Sequence, residues 1–209
     1  MRLNLRAVCV GLPRPIARTQ DGEIVLSGIA KRPPAADRVF VGRENIEGDG
    51  QADLRVHGGR DKAVYAYPAD HWPWWEETHK LACAPNTFGE NLTLEGANEN
   101  DVAIGDQFRW GDALLEIAQP RAPCFKLGIH AREDIPARMT ISARCGWYFR
   151  VVEVGFAPID GELVREKETG GPSVRESFIA ALHPNAPETS RIRVRETQEL
   201  SPAWKRMIR

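Results

Sequence analysis

Short β-prone runs, cut apart by glycine and proline, constrain this chain most. They lie at 3–10, 63–67, 91–94, 107–110, 114–118 and 147–154, among 18 glycines and 15 prolines. None is long enough for a helical core, and the turn residues between them allow tight reversals. The spacing predicts a compact, largely antiparallel β-domain, a barrel or a sandwich. In the first run Leu3, Leu5, Ala7 and Cys9 share one face at period two, which reads as a strand and not as a signal peptide.

Helical signals are fewer. One covers 69–80, after Pro68, and carries His71, Trp72, Trp74 and Trp75. That tryptophan group reads as helix packing, with a partner or substrate surface as the alternative. Another covers 135–144, with Pro136 in the first turn. The character changes near Thr169-Gly170-Gly171-Pro172. Beyond it, Ser173 and Glu176 form a capping box, and Val174, Phe178, Ala181 and Leu182 make an apolar stripe. The segment 188–199 permits helix or strand, and Ser201-Pro202 opens a last short helix. The expected organisation is a mainly β domain over 1–168 and a three-helix part over 172–209. Forty residues hold little core of their own, so the helices should pack on the β-domain.

Charge narrows the function. Twenty-eight Lys and Arg face 29 Asp and Glu, a net charge of −1. A nucleic-acid binder needs a basic excess to neutralise phosphates, so none is expected as a partner. No apolar run approaches the roughly 20 residues of a membrane helix. No membrane partner is expected either, and a cytoplasmic location follows as the expectation.

Two stretches carry chemistry. In Asp53-Leu54-Arg55-Val56-His57-Gly58-Gly59-Arg60-Asp61-Lys62, two glycines sit among His, Arg and Lys. Adjacent glycines let consecutive N–H groups point into one hollow, and the cations around it would suit a phosphate. The plainer alternative is a surface turn with solvated charges. The second stretch is Gln119-Pro120-Arg121-Ala122-Pro123-Cys124-Phe125-Lys126. Two prolines stiffen a loop, and Arg121 and Lys126 flank a thiol. Nearby positive charge favours the thiolate, the form that attacks carbon or ligates metal. A loop cysteine with incidental basic neighbours is the alternative. Cys9 reads as core, Cys83 has no basic neighbour, and Cys145 after Arg144 is left open as a pocket member. HExxH, GxSxG, GxGxxG, Walker A and CxxC motifs are absent, and the histidine spacings suit no metal.

The order of these blocks resembles a known family. The run from Gly48 to Tyr65, the block Phe88-Gly89-Glu90-Asn91-Leu92-Thr93, the block from Pro120 to Leu127 with its cysteine, and Gly146-Trp147-Tyr148-Phe149-Arg150-Val151 are similar to those of the MOSC domain. The C-terminal helices resemble the 3-alpha appendage of the YiiM-type subgroup. The resemblance implies a β-barrel-like fold with a pocket for molybdenum cofactor, a phosphorylated pyranopterin (molybdopterin) bearing the metal. By position, Cys124 would be the molybdenum ligand and the catalytic residue. His57, Gly58, Gly59, Arg60 and Lys62 would lie near the cofactor's anionic end. Asn91, Arg121 and Lys126 would join the pocket, and Lys31 matches a basic position in the family's N-terminal region.

The resemblance further implies a molybdenum-dependent reductase of small N-hydroxylated compounds, such as N-hydroxylated nucleobases. No cluster-binding cysteine spacing or flavin fingerprint is visible, so electrons would come from a separate donor protein. Pyridoxal phosphate binding is a family-level association only. A non-redox carrier, with Cys124 holding persulfide or the pocket holding cofactor, is the other reading. The oligomeric state is left open, a homodimer included.

Overall fold

The computed structural model describes residues 1–53 and 58–209. Seven strands close a barrel in the order β1, β11, β7, β8, β9, β5, β6. These are β1 (Arg2–Val8), β5 (Val64–Pro68), β6 (Leu92–Glu95), β7 (Gln107–Trp110), β8 (Ala113–Pro120), β9 (Trp147–Glu153) and β11 (Glu162–Lys167). Two further pairs lie outside it: β2 (Arg14–Arg18) with β3 (Ile24–Ser27), and β4 (Arg38–Val41) with β10 (Gly155–Pro158). Every pairing is antiparallel except β5 with β6. The expected barrel is therefore present, with one parallel seam.

The strands show why it closes. All eight residues of β8 are buried, because both faces are covered. β1 alternates at first, with Leu3 and Leu5 inside and Arg2 and Asn4 outside. A register shift between Leu5 and Ala7 then turns the pleat over. Val8 points in, and Ala7 is only half-buried, contrary to the simple period-two reading. A closed barrel has no free edge to protect, so short strands suffice.

The helices fill the flanks. After a short 3-10 turn at Ala69–His71 comes α1 (Trp72–His79), followed in order by α2 (Phe125–His130), α3 (Ile135–Ser142), α4 (Val174–Leu182), α5 (Glu188–Glu196) and α6 (Pro202–Lys205). Trp72 and Trp75 are buried, and Arg144 lies 4.0 Å over the half-buried Trp74 ring, so this group packs the fold. The ambiguous segment is helix α5.

The C-terminal helices are tied to the barrel. Ser173 Oγ accepts from the Glu176 N–H at 3.0 Å, the expected N-cap. Ser201 Oγ accepts from the Trp204 N–H at 3.1 Å and donates to the β8 residue Gln119 at 2.6 Å. Val174, Phe178, Val194 and Trp204 belong to the same apolar core as the barrel strands. Among the described residues, no helix is long and apolar enough to cross a membrane.

Candidate functional site

Three loop systems meet beside the barrel and enclose a cavity. One wall comes from the end of β3 and the following turn, another from residues 49–52 and Gly58, and a third from Arg121, Cys124 and Lys126. Gly28 makes the first two walls meet. A Cβ built there would stand 2.1 Å from the Gly50 carbonyl oxygen and 2.9 Å from that of Gly11. Both obstacles are backbone and cannot rotate away. Gly28→Ala should cost about 1–3 kcal/mol by overpacking and loosen the cavity wall. Denaturation midpoints would check the first effect, and inorganic phosphate affinity the second.

Most of the residues singled out by sequence come together here. Lys31, Gly58, Lys62, Asn91, Arg121, Cys124 and Lys126 all line the cavity. Gly59 and Arg60 do not. Arg60 is exposed and starts a 3-10 turn, while Gly59, with φ +81°, caps it. His57 lies outside the described residues.

Each lining residue is held for a physical reason. Gly58 has φ +79°, a left-handed backbone that favours glycine, and a Cβ there would meet Gln51 Oε1 at 2.7 Å. Lys62 is partly buried, and that burial lowers its pKa, with Asp61 opposing. An anion placed beside it would favour the ammonium and offset the effect of burial. Lys31 is ion-paired with buried Asp49, which also accepts from the Gly11 N–H at 2.9 Å. Lys126 Nζ donates to the Leu26 carbonyl at 3.0 Å and ties α2 to the β2–β3 hairpin. Asn91 spends its amide on backbone. It accepts from Tyr65 N–H at 3.0 Å and donates to the Cys9 carbonyl at 3.1 Å.

Arg121 is buried, its guanidinium 5.3 Å over the Tyr65 ring. Burial works against its charge, but Tyr65, Tyr148, Cys124 and Cys145 around it outweigh that and raise its pKa. It is a fixed cation beside the thiol.

The four cysteines divide clearly. None is in a disulfide. Burial pushes Cys9 up to about 11 and Cys83 up to about 12, and it holds Cys145 well above the usual thiol range. Cys145 is fully buried, its Sγ 3.1 Å from the Gly146 carbonyl, and it does not line the cavity. Cys124 is half-buried and does line it. The stiff loop proposed around it is shorter than expected. β8 continues through Pro120, and α2 begins at Phe125, directly after the thiol.

Sequence reasoning missed Asp49, Gln51, Tyr65 and Tyr148 as lining residues. All four sat inside the blocks already noted, but only tertiary proximity gives them a role.

Comparison with known proteins agrees with this architecture. The sequence profile of the MOSC domain matches residues 53–165. The uncharacterized protein YflK of Bacillus subtilis (strain 168) is 38% identical over 198 residues, covering 94% of this chain and 89% of that protein. A protein of Gibberella moniliformis named "Reductase" is 35% identical over 122 residues, 56% of this chain and 22% of that one. The crystal structure of YiiM from Geobacillus stearothermophilus matches with a TM-score of 0.80 and 30% identity, covering 99% of this chain and 97% of that chain. The profile runs from just before the diglycine into the last barrel strand, and near-full-length relatives carry the likeness across the remainder, so this chain belongs to the MOSC domain family.

Proposed function

We propose that this protein binds molybdenum cofactor and reduces small N-hydroxylated compounds, such as N-hydroxylated nucleobases, with electrons from a separate donor protein. The observation that carries this reading is one cavity lined at once by Cys124, Gly58, Lys62 and Arg121. Family membership supports the cofactor, and the relative named "Reductase" supports the reaction class.

The residues fit such a group. Among the described residues, no cluster of three His, Cys, Asp or Glu side chains could hold a metal ion. A metal here would arrive already chelated, and the thiol of Cys124 would add one protein ligand. Lys62 and the Gly58 backbone would hold the phosphate. The bound cofactor would supply the two-electron redox chemistry; the protein supplies binding, orientation and protons.

Reduction of N–OH to N–H takes two electrons and two protons and releases water. The departing hydroxyl needs one of those protons. Tyr148 lines the cavity, and burial raises its pKa against the opposing charge of Arg121. Its phenol keeps its proton at neutral pH, so it faces the cavity as a proton donor.

The test is metal and pterin analysis of protein made in a host that synthesises the cofactor, followed by a reduction assay with a supplied electron donor. Stoichiometric molybdenum with turnover is expected. Protein without molybdenum, or loaded protein without turnover, would overturn the reading. Lys62→Ala should weaken binding of inorganic phosphate by about 1.5–3 kcal/mol, the usual value of a charge-assisted hydrogen bond. Isothermal titration would check it.

A further inference from the structure

The cavity is rich in donors, yet it holds two buried acceptors that have no hydrogen-bond partner among the described residues. Asp49 Oδ1 takes the Gly11 N–H and the Lys31 ammonium. Asp49 Oδ2 is buried and has no hydrogen-bond partner among the described residues. Gln51, two residues on, donates through Nε2 to Asn45 Oδ1 at 2.5 Å. Its Oε1 is likewise buried and without a partner among the described residues. Both residues line the cavity. Buried acceptors are nearly always satisfied, so two in one cavity point to a ligand that donates.

The kind of donor follows from the charge. Asp49 is already neutralised by Lys31, in a pair whose side chains are 7% and 1% exposed. A second cation would find no net negative charge there. Neutral N–H groups would, because they satisfy the free oxygen without adding charge. The segment is also preorganised: Gly50 is pressed against Gly28, and Gln51 Oε1 rests on Gly58. A ligand taken here carries an anionic end for Lys62 and neighbouring N–H donors for Asp49 and Gln51. A 2-amino-4-oxopyrimidine ring has that edge, with a ring N–H beside an exocyclic amino group.

We infer that Asp49 and Gln51 recognise the amino-pyrimidinone edge of a pterin. This rests on the reading of the cavity as a cofactor site. It makes Asp49 the anchor and Gln51 the second acceptor, so the carboxylate distinguishes an amino group from a carbonyl at ring position 2.

The experiment uses two fluorescent rings, pterin and lumazine, which differ in that amino group. Binding to cofactor-free full-length protein is followed by fluorescence quenching. Wild type should prefer pterin by about tenfold or more, the worth of one charge-assisted hydrogen bond. Asp49→Asn should lose that preference. Gln51→Met leaves the Lys31–Asp49 pair intact, loses only the hydrogen bond to Asn45, and should weaken pterin with a melting temperature close to that of wild type, which guards against a folding defect in the first variant. Equal binding of the two rings by wild type, binding of neither, or a preference that survives Asp49→Asn would overturn the inference. Pterin retained after dialysis of protein from the cofactor-competent host separates the two claims. Wild type without pterin defeats the cofactor reading itself, whereas variants that retain as much pterin as wild type defeat only the assignment of Asp49 and Gln51.

Discussion

Cys124→Ser is expected to abolish reduction of N-hydroxylated substrates while the fold survives. The change replaces one sulfur by oxygen on a half-buried side chain, so the core is untouched. Oxygen is a harder and more basic ligand than thiolate, and a serine hydroxyl stays protonated where a thiol can ionise. Groups that only support metal ligands are worth about 10–100-fold, so loss of the ligand itself should exceed about 100-fold in turnover per folded molecule. No other thiol can substitute. Cys9 and Cys145 are buried, Cys83 is not in the cavity, and burial keeps all three protonated at neutral pH. The measurement is turnover of cofactor-loaded protein beside its melting temperature and molybdenum content. Unchanged turnover in the loaded variant would remove Cys124 from the chemistry. An accompanying collapse in melting temperature would show a structural cysteine instead.

The thiol and the diglycine were legible in the sequence because their residue types announce their chemistry locally. A cysteine between basic residues and a Gly-Gly shortly before a lysine can be read without neighbours in space. The barrel was legible for a similar reason, since β7 and β8 show their hydrophobic pattern over consecutive residues. Other elements gave no such signal. β2 is largely solvent-facing, and β4 and β10 pair outside the barrel, so none needs a long apolar run. α2 is six residues long, with Gly128 inside it, too short for helical periodicity to show. Asp49 and Gln51 were invisible as a pair of acceptors. Their chemistry depends on Lys31 and Gly28, which are distant in sequence and brought together only by the fold. Arg60 illustrates the converse. It stands beside the glycines in sequence, yet the 3-10 turn carries it out of the cavity.

Glu90→Ala is expected to be the most destabilising substitution near the cavity, and it should damage the site as well. Glu90 is fully buried and has no cationic partner among the described residues. Its carboxylate instead organises a turn. Oε1 accepts from the Asn86 N–H at 2.8 Å and the Thr93 hydroxyl at 3.0 Å, and Oε2 accepts from the Phe88 N–H at 3.0 Å. Alanine strands three buried donors, so the loss should reach about 3 kcal/mol or more. The site follows because Asn86 props its wall. Asn86 Oδ1 accepts from the Lys31 N–H at 2.8 Å, and its Nδ2 donates to the Ile29 carbonyl at 3.0 Å. When the turn loosens, Lys31 shifts and phosphate affinity should fall with stability. The pH dependence gives a sharper signature. Burial raises the Glu90 pKa above the usual carboxylate value of 4.5, although the hydrogen bonds it accepts from its own N–H, Thr93, Asn86 and Phe88 offset part of that. Between 4.5 and the raised value, the unfolded chain has lost its proton while the folded chain keeps it. Stability tied to Glu90 is therefore full below the unfolded pKa and declines as pH rises through the folded one. Glu90→Gln has no such proton. Urea denaturation at pH 5 and pH 8 should show wild type exceeding Glu90→Gln by a wider margin at the lower pH. A margin that widens towards pH 8 would mean the donors win and the buried carboxylate is held ionised.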